Sequence, residues 1–458
     1  MRFLIECTYV YEHPKDNSGI QRVVRNVIKQ LASIELEVEC VPVMMSGGKL
    51  YRVNSLAPLK VDKRTPRRHA LIIKLDHARN RYWWWHSRLI RLWPFRASKQ
   101  LRRVLWVGCK VASLGITLPL RALLHFNKRA EPAPERATPL EVKADDQLLL
   151  LDSSWHADFF PLAEKLKAQG VGIISVIYDL IPLTHPQFCD EGLVKVFDRW
   201  FEWISRTADG FMAISQTISE QVEAEVTRRL GPLEAQKRWY GHFHLGSELD
   251  LIRGNARLLP TMLKMFRVSA PVYLMVSTIE PRKNHAYLLD AFELLWQQGS
   301  SARLCIIGKI GWKCEDLVER ITKHPEWKKR LFMFNGVNDR SLEYAYANAQ
   351  ALVFPSYVEG FGLPLVEAMQ RGLPAFGSDI PVFREIGGGF MAYFDLSQPA
   401  TLAHLINQFD QTGIFPAQEN VRDWRWVNWQ QASLQLIERS LDGVRNGAGV
   451  PVGNAHSA

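Results

Sequence analysis

The chain has 458 residues, 47% hydrophobic and 23% charged, with a formal net charge of +10. That mix excludes wholesale disorder, a collagen-like repeat and a coiled-coil rod, and the length allows two or three domains, each with its own core. Six scattered cysteines (Cys7, Cys40, Cys109, Cys189, Cys305, Cys314) have no paired spacing, so neither a disulfide framework nor a zinc knuckle is expected and a reducing compartment is the default.

The opening MRFLIECTYVYEHPKD has a short apolar run broken by Glu6 and no small-residue cleavage site. It reads as a first β-strand, not as a secretory signal. Further strands of the first half are expected at 36–44, 148–152, 172–178 and 210–214, after the one at 2–9. Between the first two, Ser18-Gly19-Ile20-Gln21-Arg22 opens a helix; a lone glycine before a helix is in most chains only a turn.

Residues 77–129 hold 12 Lys/Arg and no Asp or Glu, more than the whole net excess, together with Trp83, Trp84, Trp85, Trp93 and Trp106. Cations interleaved with indoles suit an anionic membrane surface, because indoles settle at headgroup level while cations meet phosphates. A solvated insertion packed on the body is the plain alternative, and nucleic acid is the least favoured partner. The apolar run 104–120 contains Lys110 and Gly115 and falls short of the ~20 residues needed to cross hydrocarbon, so an integral membrane protein is not expected. The polar stretch 130–147 reads as a linker leaving this insertion.

In the second half, strands are expected at 272–277, 303–308, 331–334, 351–354 and 374–376. Continuous apolar strands separated by helical segments imply two doubly wound parallel sheets facing a cleft, with ligands beyond the strands' carboxyl ends. His242 and His244 could share one face of a strand, but no third ligand stands at metal-binding spacing. Ser215 and Thr217 follow a strand, and their hydroxyls could equally cap the next helix. A helical apolar spacing runs through 422–441, and the Gly-rich tail 443–458 reads as frayed.

Two stretches have the chemistry of an anion site. Glu280-Pro281-Arg282-Lys283-Asn284 lies at a strand-to-helix turn, where two cations join the helix N-terminal amides. Glu359-Gly360-Phe361-Gly362-Leu363-Pro364-Leu365-Val366-Glu367 follows another strand, with glycines that let amides approach a ligand and two carboxylates directed to one cleft. Alone, each is also compatible with an ordinary solvated turn.

Together with Phe354-Pro355-Ser356, these strings resemble the signature of the family 4 retaining glycosyltransferases, which have the GT-B fold of two Rossmann-like domains. The resemblance runs from about Val272 to Asp395. It implies an N-terminal, acceptor-side domain 1–243 carrying the basic Trp-rich insertion 77–147. A nucleotide-sugar-binding domain 244–420 follows, then a helix 421–442 crossing back to the first domain and a flexible tail 443–458. It implies that Arg282 and Lys283 hold a diphosphate, that Glu367 binds ribose hydroxyls, and that Glu359 with the amides of Gly360, Phe361, Gly362 and Leu363 contacts donor sugar and phosphate. Asn335 and Val337 would lie beside the base.

The first-half string from Ser18 to Asn26, with Tyr178-Asp179-Leu180-Ile181-Pro182, resembles the subgroup of bacterial O-antigen mannosyltransferases. By that resemblance Gly19 and Arg22 approach the donor phosphates and Asp179 contacts sugar or acceptor. The subgroup usually has His where Tyr178 stands, and Tyr cannot carry a proton near neutral pH as His does.

The implied activity is a front-face hexosyl transfer in which the leaving phosphate takes the acceptor proton, so Glu359 is not expected to be a nucleophile. The implied donor is a nucleotide sugar, a GDP-sugar first, used as substrate with no cofactor or metal. The implied acceptor is a glycan on polyprenyl diphosphate, reached from the cytoplasmic side by an enzyme peripheral to the inner face of the membrane. A non-catalytic scaffolding member of a polysaccharide assembly complex is the alternative.

Overall fold

A computed structural model describes residues 1–14, 16, 19–34, 36–57, 71, 74–75, 78–79, 81–83, 85–86, 89, 98–128, 135–156, 159–246 and 257–447. The sequence expectations for Ser18, for much of the basic segment, and for the tail beyond 447 lie outside them.

Among the described residues the first sheet has eight strands in the order β4-β3-β2-β1-β5-β6-β7-β8. They are β1 (Arg2–Glu6), β2 (Glu39–Ser46), β3 (Lys49–Val53), β4 (Ala137–Pro139), β5 (Gln147–Leu150), β6 (Gly172–Ile177), β7 (Gly210–Ala213) and β8 (Trp239–His242). All neighbours are parallel except β2–β3 and β3–β4, which close one edge antiparallel. The second sheet, order β11-β10-β9-β12-β13-β14, is wholly parallel. Its strands are β9 (Val272–Val276), β10 (Arg303–Ile307), β11 (Leu331–Phe334), β12 (Ala351–Phe354), β13 (Ala375–Ser378) and β14 (Ala392–Phe394). Strands such as GIISVI and VYLMV are apolar along their whole length because helices cover both faces of each sheet, and nearly every side chain in them is buried.

Each sheet reverses direction once. In the first the chain runs from β1 outward to β2 and from β5 outward to β6, so the crevice lies between the carboxyl ends of β1 and β5; in the second it lies between β9 and β12. The two crevices carry the candidate site.

Four short strands escaped the sequence pattern: the edge strands β4, β8 and β14, and β3 next to one edge. Ala137–Pro139 belongs to β4, so the stretch 130–147 is not simply a linker: it re-enters the sheet beside β3. The segment 54–136 therefore leaves and rejoins one sheet edge. Within it, the helix Lys99–Lys128 runs unbroken through Lys110 and Gly115, because neither residue stops a helix as a cap would. Its apolar window, Arg103–Leu123, is 21 residues with mean hydropathy 1.3, longer than the run read from sequence and long enough to cross a membrane by length and composition.

The last helix begins at Trp429, not at Arg422. Asn428 Oδ1 accepts from Gln431 N, Gln431 Oε1 accepts from Asn428 N, and this capping box sets the start. The helix Trp429–Asn446 packs on the helix Gly19–Leu31 and on β8. The connection between the sheets fits tightly beneath it, since a Cβ on Gly246 would lie 2.6 Å from Trp429 N.

Candidate active site

The basic pair sits in the short 3-10 turn Pro281–Lys283 after β9, and Glu359 lies in the loop after β12, so the two strings meet at the crevice of the second sheet. Arg282 Nη1 donates to Glu359 Oε2 at 2.8 Å and Arg282 Nε pairs with Glu280 Oε1 at 2.7 Å. Lys283 Nζ donates to Glu359 Oε1 and lies 5.1 Å from the Phe354 ring centre. Burial alone would raise the Glu359 carboxyl, but Arg282 and Lys283 outweigh it and hold it at about 2. Burial lowers the Lys283 ammonium, helped by Arg282. Burial also works against the Arg282 cation, yet Glu359 and Glu280 hold it above its usual range. Each candidate phosphate ligand is thus paired with a carboxylate, and a buried charge in this cluster is stable only with its partner present.

Asp179 follows β6 across the cleft. Its Oδ1 accepts from Ile181 N at 3.0 Å, and burial raises its carboxyl despite the nearby Arg282. Beside the basic turn, Asn284 adopts φ 56° and begins the helix His285–Gln297. Among the described residues, Asn284 Nδ2 and His285 Nδ1 are buried with no hydrogen-bond partner. Unsatisfied buried groups of this kind are costly unless something completes them.

Glu367 lies on the helix Leu363–Gln370 and is buried. Its Oε1 pairs with Arg22 Nη1 of the first domain at 2.5 Å and its Oε2 accepts from Tyr346 Oη at 2.8 Å. Phe361 is buried, Gly362 takes φ +111°, and Leu363 opens the helix, where first-turn amides have no intrahelical acceptor. Asn335 is exposed and Val337 half-buried in the loop after β11, two strands from the crevice. Gly19 is exposed at the first position of its helix, and a Cβ there would meet nothing within 4 Å.

The structure assigns a different neighbour to Gly360. A Cβ on it would stand 2.2 Å from Tyr178 O and 3.0 Å from Asp179 Cβ, so the glycine lets the loop of the second domain touch the backbone of the first. Ser215 Oγ donates to Gly360 O at 3.2 Å while also capping its own helix at Ile218 N. Ser215 thus caps its own helix and, with the same hydroxyl, reaches the loop of the second domain. Tyr178 is turned away, its hydroxyl donating to Leu151 O at 2.7 Å in the first domain. It occupies a buried slot beneath the cleft, where a hydrogen bond to the peptide backbone fixes it.

Several residues that sequence reasoning passed over complete the contact between the domains. Glu385 accepts from Gln216 N at 2.7 Å, from Thr217 N at 2.9 Å and from Thr217 Oγ1 at 2.6 Å, and lies 2.8 Å from His244 Nε2. A carboxylate of the second domain thus caps the helix Gln216–Leu230 of the first, where the helix dipole favours negative charge. Burial would raise Glu385, but His244, Thr217 and Gln216 hold it at about 2. His242 and His244 serve this junction: the His242 carbonyl accepts from Arg439, and burial lowers its own ring to about 4.

At the crevice of the first sheet, Glu6 and Asp152 are both buried. Glu6 accepts from Thr8 N at 2.7 Å and from Asp152 N at 3.2 Å; Asp152 accepts from Val10 N and Ser153 N, each at 2.7 Å. Burial and the neighbouring Asp152 push Glu6 up to about 8. The one sequence signal for this pair was a Glu at the end of an otherwise apolar strand.

Two facing doubly wound sheets with clustered charges at their crevices define a GT-B architecture. The fold matches that of sucrose-phosphate synthase from Thermosynechococcus elongatus, with a TM-score of 0.54 at 16% identity over 97% of this chain and 100% of that one. It also matches HepE of Anabaena in complex with UDP and glucose, with a TM-score of 0.56 at 14% identity over 96% and 99%. Residues 265–411 match the model of the glycosyl transferases group 1.

Among curated proteins the chain is 33% identical over 316 residues to the serotype-specific mannosyltransferase WbdA of Escherichia coli, a match covering 66% of this chain and 37% of that protein. It is 32% identical over 192 residues to O-antigen chain mannosyltransferase B of Escherichia coli, covering 40% and 49%. The match thus spans little more than a third of the first relative's length.

Proposed function

We propose that this chain is a retaining hexosyltransferase of family 4 that moves mannose or a related hexose from a nucleotide sugar to a growing bacterial surface polysaccharide. The observation that carries the reading is the convergence of Arg282, Lys283, Glu359 and Glu367 at one crevice, facing Asp179 and Arg22 of the opposite domain. Cations and helix-terminal amides there suit a diphosphate leaving group; the paired carboxylates suit sugar hydroxyls. The relatives named as mannosyltransferases support the sugar, and the one named as an O-antigen chain mannosyltransferase supports the acceptor class. The finer reading is a GDP-sugar donor and a polyprenyl-diphosphate-linked acceptor at the inner face of the cytoplasmic membrane.

In this mechanism the diphosphate replaces Glu359 on Arg282 and Lys283, which frees the carboxylate to accept from a donor-sugar hydroxyl. The ribose hydroxyls take over Glu367 Oε1 from Arg22, and Arg22 turns to the phosphates. As the glycosidic bond breaks, charge grows on the leaving phosphate, where two cations and the amides of the Gly362 turn stabilise it. The leaving phosphate then takes the acceptor's proton, so no protein nucleophile is required. Closure of the domains around Gly360 excludes water from the transfer.

Incubating the purified protein with GDP-, UDP- and dTDP-sugars while following thermal shift and donor turnover tests the reading. A response to one base that Glu367→Ala abolishes is expected; no response to any nucleotide would overturn it.

A further inference from the structure

We propose that the helix Lys99–Lys128 seats the protein on an anionic bilayer, lying along the interface with one apolar face sunk among the lipids. This deepens the membrane part of the proposed function and rests on it for its purpose, but the evidence comes from a different part of the molecule.

The helix presents Leu101, Val104, Val107, Val111, Leu114 and Leu118 to the outside, with Val104 70%, Val111 62% and Leu118 56% exposed. From Val104 onward the spacing alternates three and four, which places these side chains on one continuous stripe. Such a stripe belongs in a core or against a partner; single exposed apolar residues are ordinary, but a row of them on one helix is not. The opposite face is attached to the protein: Ser113 and Leu120 are buried, and Tyr82 Oη donates to Cys109 O at 2.9 Å.

Only 11% of the window Arg103–Leu123 is buried, so this is not the core helix of a soluble domain, and its mid-chain position is not that of a leader. At 1.5 Å per residue the window is about 31 Å long, close to the thickness of hydrocarbon. A spanning orientation would nevertheless expose Ser113, Lys110 and the attached face to lipid, whereas lying flat buries only the outer stripe.

The charges select the occupant. Arg103, Lys110 and Arg121 are exposed along the helix, and its sequence contains no acidic residue. Lys110 Nζ rests 4.4 Å from the exposed Trp106 ring, so the helix also pairs a cation with an exposed indole. A second copy could match the spacing, but it would bring the same cations face to face with no carboxylate to receive them. An anionic bilayer satisfies both, its headgroups receiving the cations and its acyl region the apolar stripe.

Cosedimentation of the full-length protein with phosphatidylglycerol/phosphatidylcholine vesicles, at low and at 1 M salt, tests the assignment. Wild type is expected to bind anionic vesicles and to retain part of that binding at high salt, because the apolar component is not screened. Val107→Asp with Val111→Asp should weaken partition about thirtyfold or more at both salts. Arg103→Glu with Lys110→Glu should weaken it about tenfold at low salt and little at high salt. The unfolding midpoints should stay at the wild-type value, since all four side chains are exposed.

Wild-type binding absent, or unchanged in the apolar variant, overturns the proposal. So does a wild-type dimer, seen by light scattering, that Val107→Asp/Val111→Asp dissolves. A nucleotide-sugar thermal shift on the same samples without vesicles separates the readings: donor response without vesicle binding defeats the seating helix alone, and vesicle binding without donor response defeats the transferase alone.

Discussion

Replacing Gly360 with Ala isolates the contact that brings the two domains together. The new methyl carbon would stand 2.2 Å from Tyr178 O, well inside the 3.0 Å that real Cβ atoms keep, and the obstacle is backbone, not a side chain that can swing away. Gly360 is not among the residues with positive φ, so alanine adds no backbone strain of its own. The cost therefore falls on the closed arrangement only. Overpacking of this size costs about 1–3 kcal/mol, which lowers the closed population roughly 5- to 150-fold. It also stretches the 3.2 Å bond from Ser215 Oγ to Gly360 O. The account predicts a fall in kcat/KM for transfer of that order and a larger radius of gyration by solution scattering. Wild-type transfer in a variant that stays as compact as wild type would refute the reasoning.

Other predictions address separate parts of the account. Glu385→Ala removes the acceptor for Gln216 N, Thr217 N and Thr217 Oγ1 at the domain junction; unfolding measurements should show a loss of about 1–3 kcal/mol, and Glu385→Gln should recover part of it. Tyr346→Phe deletes the 2.8 Å hydrogen bond that orients Glu367, and titration should show donor affinity falling about 5- to 10-fold with the fold intact. Glu6 is held at about 8 in the folded protein against an ordinary 4.5, so the folded state binds its proton more tightly than the unfolded chain. The stability this contributes is full below about pH 4.5 and is lost as pH rises through about 8, at no more than about 1.4 kcal/mol per pH unit. Relative to Glu6→Gln, the wild-type denaturation midpoint should therefore fall as pH rises from 5 to 8; a difference between the two proteins that stays constant over that range would contradict this.

The long parallel strands were legible because burial on both faces leaves an unmistakable apolar run, as in the VYLMV of β9. The strands β3, β4, β8 and β14, at or next to a sheet edge, are short or polar, and pairing with a neighbour stabilises them more than their own composition does. The charged strings around Arg282 and Glu359 stood out because cations and glycines cluster at a strand end. What sequence could not reveal was the partner of each residue. Gly360 reads as a ligand-facing glycine until Tyr178 O is placed against it, and Glu385 reads as an ordinary helical glutamate until the helix it caps, far away in the chain, is brought beside it. Tyr178 likewise reads as a substitution at the site, whereas its hydroxyl is spent on Leu151 O.

The central claim is that Arg282 and Lys283 exchange their carboxylate partners for a nucleotide diphosphate. Calorimetric titration of wild type and an Arg282→Ala/Lys283→Ala variant with GDP and UDP, at equal thermal stability, tests it most directly. The account predicts binding of one nucleotide by wild type and at least about a 100-fold loss in the variant, since two charge-assisted contacts disappear together. Equal affinity in both proteins would contradict it.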